Sequence, residues 1–154
     1  MANRERFPTN AYIEFYEADD DIPTARVYCS HNGFPTSAAT RLGVAERLKN
    51  MAPTRQTTAV ATRYVAKYGK TSSSMFTAFI EDASTPLEQE VVFIYAVRCY
   101  EGHFHITVFE PFYENGQMTR LQQLPESMWR TPFHNWRYTS VEDFTNGRAH
   151  QNKR

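Results

Sequence analysis

Cysteine is scarce in this chain: two residues, Cys29 and Cys99, among 154. Each falls in an apolar, strand-like run. That placement excludes a disulfide framework and reads as two buried thiols behaving as small hydrophobes. An excess of charge of either sign is missing too, since 17 Lys and Arg balance 17 Asp and Glu at a pI near 7.0. Without net positive charge there is no global footprint for nucleic acid or an acidic membrane, and without net negative charge no imitation of the DNA backbone by bulk charge. No apolar run reaches the length that crosses a bilayer, so no membrane partner is expected. The start, Met1 to Arg6, is polar with no secretory apolar region, so the chain reads as a soluble cytoplasmic protein. Phosphate-loop motifs are absent: no Gly-x-Gly-x-x-Gly occurs, and Gly69-Lys70-Thr71-Ser72 lacks its earlier glycine because position 64 is Tyr. Ser72 to Ser74 lack a Gly-x-Ser-x-Gly context, and both cysteines sit in strand-like runs rather than at helix starts.

What is present suffices for a core. Hydrophobic residues make up 41% of the chain and aromatics 14%, enough to bury a domain without disulfides or a metal. We expect one domain over residues 1–145 and a basic flexible tail over 146–154. Residues 11–17 alternate as a strand with Ile13 and Phe15 on one face, and residues 24–30 as a second with Ala25, Val27 and Cys29 aligned. The short turn between them makes an antiparallel hairpin. Ala38, Leu42, Ala45 and Leu48 predict a helix over 37–50, weakened at Gly43. A second helix is predicted over 55–68, ending at Gly69. Met75 to Ile80 form a strand, and 90–100 give the strongest strand signal. Being apolar on both faces, that strand belongs at the centre of the sheet. A further strand, 103–109, is expected to stop at Pro111, after which Tyr113-Glu114-Asn115-Gly116 signals a turn and the apolar pattern loses its period. Thr139-x-x-Glu142 fits a capping box for a turn of helix near 140–145. The order β-β-α-α-β-β-β predicts an α+β fold: an antiparallel sheet with two helices on one face and an aromatic-rich C-terminal extension. The other face would be covered by that extension or by a partner subunit, and an edge left apolar would favour a homodimer.

Four residue groups carry chemistry. In the loop His31-Asn32-Gly33-Phe34-Pro35, between a strand and a helix, His31 and Asn32 can be presented as acid–base or ligand groups. The same residues also suit a fold-making turn, which is the stronger reading. His103, His105 and Thr107 share one strand face. His31, His103 and His105 form the candidate catalytic set of a phosphoesterase or nucleotide-acting enzyme, although no second His-x-Thr copy exists and no Cys or carboxylate stands at metal-ligand spacing. No metal and no cofactor is expected. Glu14, Glu17, Asp19, Asp20 and Asp21 make an acidic rim able to meet a basic partner. Trp129, Arg130, Phe133, Trp136, Arg137 and Tyr138 interleave aromatics with arginine, which suits a protein-binding hot spot or a nucleic-acid stacking surface.

Arg26-Val27-Tyr28, then His31-Asn32-Gly33-Phe34-Pro35 leading into a helix, resembles a group of small phage and prokaryotic proteins that share a His-x-Gly-aromatic-Pro loop after an N-terminal hairpin. Phe93 to Val97 and His105 to Val108 stand where that pattern has its last hairpin, so the resemblance covers roughly residues 11–110. The pattern commonly has Asp where Asn32 stands. The resemblance implies a mobile-element origin and no particular activity. The leading expectation is therefore a phage-type accessory protein that acts by protein binding rather than catalysis. Its target would be a host protein complex, for instance a defence system such as a CRISPR effector, contacted through the acidic rim and Trp129, Arg130, Trp136, Arg137 and Tyr138.

Overall fold

Alternation in the first strand puts Ala11, Ile13 and Phe15 on one side and Tyr12, Glu14 and Tyr16 on the other, and the sheet is built on that division. The computed structural model describes residues 9–17, 20–31, 33–36, 43–51, 57–69, 78–100 and 103–129. Its strands are β1 (Ala11–Tyr16), β2 (Ala25–Cys29), β3 (Ala78–Glu81), β4 (Phe93–Tyr100), β5 (His103–Glu114) and β6 (Gln117–Gln123). Two helices, α1 (Val44–Lys49) and α2 (Thr57–Tyr68), lie between β2 and β3, and a single helical turn, α3 (Glu126–Trp129), follows β6. The α+β class is as expected. No helix among the described residues is long and apolar enough to cross a membrane.

The six strands form one sheet in the order β3-β2-β1-β4-β5-β6. It is mixed rather than antiparallel, because β1 and β4 pair in parallel from Ala11↔Phe93 to Tyr16↔Arg98 while every other pair is antiparallel. The physical reason is the connection after β3. Residues 82–92 are too long for a hairpin; they carry the chain from the sheet edge past β2 and β1, so β4 arrives running in the direction of β1. β4 is thereby flanked on both sides, as its two apolar faces require.

Two expectations fail in the second half of the chain. Pro111 does not end its strand: β5 runs to Glu114. Pairing with β4 stops at Phe109, so beyond it β5 bonds to β6 alone and one side of the strand needs no N–H. β6 itself was not expected, because Gln117–Gln123 is polar and exposed along nearly its whole length. Its signal is the turn, where Asn115 (φ 52°) and Gly116 (φ 78°) occupy the left-handed region that two-residue hairpins need. The helix expected over 37–50 is also altered, since Gly43 is extended and serves as N-cap of α1, with 37–42 outside the described residues.

The main core lies between the helices and one sheet face: Val44, Leu48, Val60, Ala61 and Tyr64 pack on Ile13, Phe15, Val27, Phe93, Tyr95, Val97 and Val108. The opposite face has its own cover. Residues 82–92 cross it as a strap, seating Leu87 and Val91 on Tyr12, Tyr28, Ile94 and Phe109. Polar anchors hold the strap. Arg26, only 2% exposed, pairs with Glu81 Oε1 at 3.2 Å and donates to the Thr85 carbonyl (2.8 Å), the Asp82 carbonyl (3.1 Å) and Thr85 Oγ1 (2.8 Å). Its guanidinium lies 5.3 Å from the Tyr12 ring centroid. The Tyr12 hydroxyl accepts from Gln89 N–H (3.0 Å), the Tyr113 hydroxyl from Val91 N–H (3.1 Å), and Asn10 Nδ2 donates to the Glu90 carbonyl (2.9 Å). Part of the cover assigned to the C-terminal extension or a partner is thus internal; residues 130–154, with the capping box near 140–145, lie outside the described residues.

Arg26→Met is expected to lower unfolding stability by about 3 kcal/mol, because it strips two strap carbonyls and the Thr85 hydroxyl of their donor and leaves Glu81 without its cation. Glu81→Gln removes only the charge pair of a partly exposed carboxylate and is expected to cost about 1 kcal/mol. Urea midpoints of both variants measure the difference.

Candidate functional site

The loop after β2 is fixed from below. Gly33 N–H donates to the Thr9 carbonyl at 2.7 Å, and a Cβ on Gly33 would stand 2.7 Å from the Ala11 Cβ, so only glycine fits there. The buried Tyr95 hydroxyl donates to the Gly33 carbonyl at 2.5 Å. Phe34 is buried in the core, and the Phe34 and Pro35 carbonyls accept from Val44 and Ala45, giving partners to the first N–H groups of α1. His31 is exposed, with Nδ1 2.9 Å from Ser30 Oγ; Asn32 lies outside the described residues. Gly33, Phe34 and Pro35 therefore act in making the fold.

Beneath this loop sits a buried polar cluster. Arg47 Nη1 donates to the Tyr64 hydroxyl at 2.9 Å, beside Cys29 and Tyr95. Burial pushes the Cys29 thiol up to about 11, against the opposing pull of Arg47 and a hydrogen bond with Tyr64. Burial likewise raises the Tyr64 and Tyr95 hydroxyls. These groups stay protonated at neutral pH, and a thiol held this way is a packing group rather than a nucleophile.

The three candidate histidines do not meet. His31 follows Cys29, which pairs with Ala11 at one end of the sheet. His105 pairs with Arg98 and His103 with Tyr100, and Arg98 in turn pairs with Tyr16 at the other end. At about 3.3 Å per residue the two ends are about 20 Å apart along the strands. Both β5 histidines are exposed. Among the described residues no group of three His, Cys, Asp or Glu side chains can hold a metal ion.

The acidic rim is divided by the fold. Glu17 turns inward: its Oε1 accepts from the Thr57 hydroxyl (3.2 Å) and N–H (3.4 Å), a carboxylate at the start of α2. Glu14 stands on the outer face opposite Arg26; burial pushes its carboxyl up, and Arg26 opposes that shift. Asp20 and Asp21 are exposed in the turn, and Asp19 lies outside the described residues. Arg98 fixes this turn, donating to the Asp20 carbonyl at 2.8 Å while lying 4.4 Å from the Tyr16 ring centroid. The strap adds carboxylates that the sequence reading passed over: Asp82, Glu88 and Glu90 are all exposed. Ser84 donates to the Asp82 carboxylate through its hydroxyl and N–H, holding it below the usual carboxylate range. The outer side of the sheet thus carries an acidic band of Glu14, Asp82, Glu88 and Glu90 around the cations Arg26 and Arg98, with exposed Asp20 and Asp21 in the turn at one end. Both described lysines, Lys49 and Lys67, stand on the helices instead. The signal available in the sequence was the pair Arg26 and Arg98, cations inside otherwise apolar strands, which demand partners on the outer face.

The sheet edges carry exposed apolar side chains, Phe79 and Ile80 on β3 and Met118 and Leu121 on β6. Arg120, at the midpoint of β6, lies 4.1 Å from the Phe112 ring centroid and places a charge on that edge. Arg130, Trp136, Arg137 and Tyr138 lie outside the described residues, as does the side chain of Trp129. Comparison with known proteins gives no matching family model, no matching curated protein and no matching solved structure.

In a Cys99→Ser background, Cys29 is expected to resist a disulfide reagent at pH 8 until the chain is unfolded. The unfolded thiol releases its proton near 9.0 and the folded one near 11. This contribution to stability is therefore complete below pH 9 and falls away as pH rises through 11. A urea midpoint that stays level over that interval would contradict the assignment.

Proposed function

We propose that this chain is a phage-type accessory protein that works by binding a protein complex of its host, with a basic surface of that complex seated against the acidic band. The single observation carrying this reading is the excess of acid on the strap side: Glu14, Asp82, Glu88 and Glu90 outnumber the cations Arg26 and Arg98 there, exposed Asp20 and Asp21 stand in the turn at one end of the sheet, and Lys49 and Lys67 stand on the helix side. A field of one sign speeds encounter with a partner of the opposite sign and selects against partners of the same sign. The band is also preorganised. Arg26 anchors the strap and Arg98 the β1–β2 turn, so little ordering entropy is lost on contact. The resemblance to phage proteins supplies the kind of target. A host defence complex fits, because nucleic-acid-guided effectors hold their heteroduplex in a positively charged channel. The aromatic–arginine segment, Trp129 to Tyr138, adds the second contact in this reading.

A panel of purified host defence complexes, tested by biolayer interferometry, checks the proposal. We expect one complex to bind, with affinity falling as salt rises. Asp20→Lys and Glu88→Lys are each expected to weaken it about tenfold, or ~1.4 kcal/mol, and Trp136→Ala to speed dissociation. Binding that is indifferent to both charge reversals, or no binding to any complex, overturns it.

A further inference from the structure

On the helix side, α1 and α2 leave a groove of about 430 Å³ lined by Asn50, Met51, Arg63, Ala66 and Lys67. Its floor is apolar and its wall cationic. Arg63 and Lys67 are one helical turn apart on α2, a like-charge spacing that weakens a helix by a few tenths of a kcal/mol. The Lys67 ammonium donates to the Asn50 carbonyl (3.3 Å) and lies 5.4 Å from the Tyr68 ring centroid, so the groove wall is held in place. Lys49 extends the positive surface along α1, and the two helices together carry one carboxylate, Glu46.

The complementary shape lies on the opposite side of the same molecule. The strap presents Pro86, Glu88, Gln89 and Glu90 to solvent, while its backbone is tied down at Asp82, Thr85, Gln89 and Glu90. The sheet separates strap from groove, so one copy cannot join its own. We propose that the strap of one copy docks in the helix groove of a second, with Glu88 and Glu90 facing Arg63 and Lys67. The balanced net charge of the chain removes the long-range repulsion that would otherwise oppose such contact. The interface is head-to-tail, so it does not close on two copies and builds short open chains. It does not depend on a host partner, but it uses the same strap and therefore competes with one.

Sedimentation velocity of the full chain tests this. At low salt the weight-average mass is expected to rise with concentration from 17.9 kDa to at least twice that value. At about 1 M salt, where the Debye length is ~3 Å, it should return to the monomer. Arg63→Glu with Lys67→Glu, and separately Glu88→Lys with Glu90→Lys, should each give monomer under all conditions. An equimolar mixture of these two double variants should associate again, because strap and groove are then complementary between them. A monomer at every concentration in low salt, association that survives 1 M salt, or a mixture that stays monomeric overturns the proposal. Failure of the host reading is distinguishable: the groove variant leaves affinity for a host complex unchanged, whereas the strap variant loses both contacts.

Discussion

Arg26, the second residue of β2, has its guanidinium almost wholly out of water, a position that is tolerable only if its donors are occupied. They are occupied by the strap's Asp82 and Thr85 carbonyls and Thr85 hydroxyl, and by the Glu81 carboxylate at the end of β3. The dependence runs both ways. The backbone of residues 82–92 has no strand partner where it crosses the sheet, so tyrosine hydroxyls, an asparagine and this arginine take the role that a neighbouring strand would play. From this constraint follow the route of the β3–β4 connection, the direction of β4, the cover over Tyr12 and Ile94, and the placement of Asp82, Glu88 and Glu90 on the outer side.

The parts of the fold visible in the sequence are those whose side chains face a core. β1 and β2 alternate because one face packs on helices, β4 is apolar on both faces because helices cover one and the strap the other, and α2 shows its inward stripe through Val60, Ala61 and Tyr64. β6 has no buried face and therefore no alternation; hydrogen bonds to β5 define it, and those leave no mark on residue type beyond the Asn115-Gly116 turn. The mixed sheet was equally hidden. Nothing in residues 82–92 taken alone says that they cross over the sheet rather than fold back; that information sits in Arg26, far away in sequence.

The site readings divide along similar lines. Gly33, Phe34 and Pro35 announce a tight loop, and that local requirement is what the structure fulfils. His31, His103 and His105 form a set only on paper, because strand register, which spacing along the chain does not encode, puts them at opposite ends of the sheet. Glu17 looks like its acidic neighbours but caps α2, since the strand carries it to the helix side. Equal totals of positive and negative charge said nothing of where the described charges gather: Glu14, Asp82, Glu88 and Glu90 on the strap side, Lys49 and Lys67 on the helices.

The parallel pairing of β1 with β4 joins Ala11 to Phe93 across most of the described chain. Such contacts raise contact order, and the loop-closure entropy must be met before the pair contributes any stability. The β1–β2 and β4–β5 hairpins can form locally, but neither alone gives the sheet its middle. Bringing β1 and β4 together therefore closes the longest loop of any strand pair in the sheet, and the centre of the sheet exists only once that closure is made.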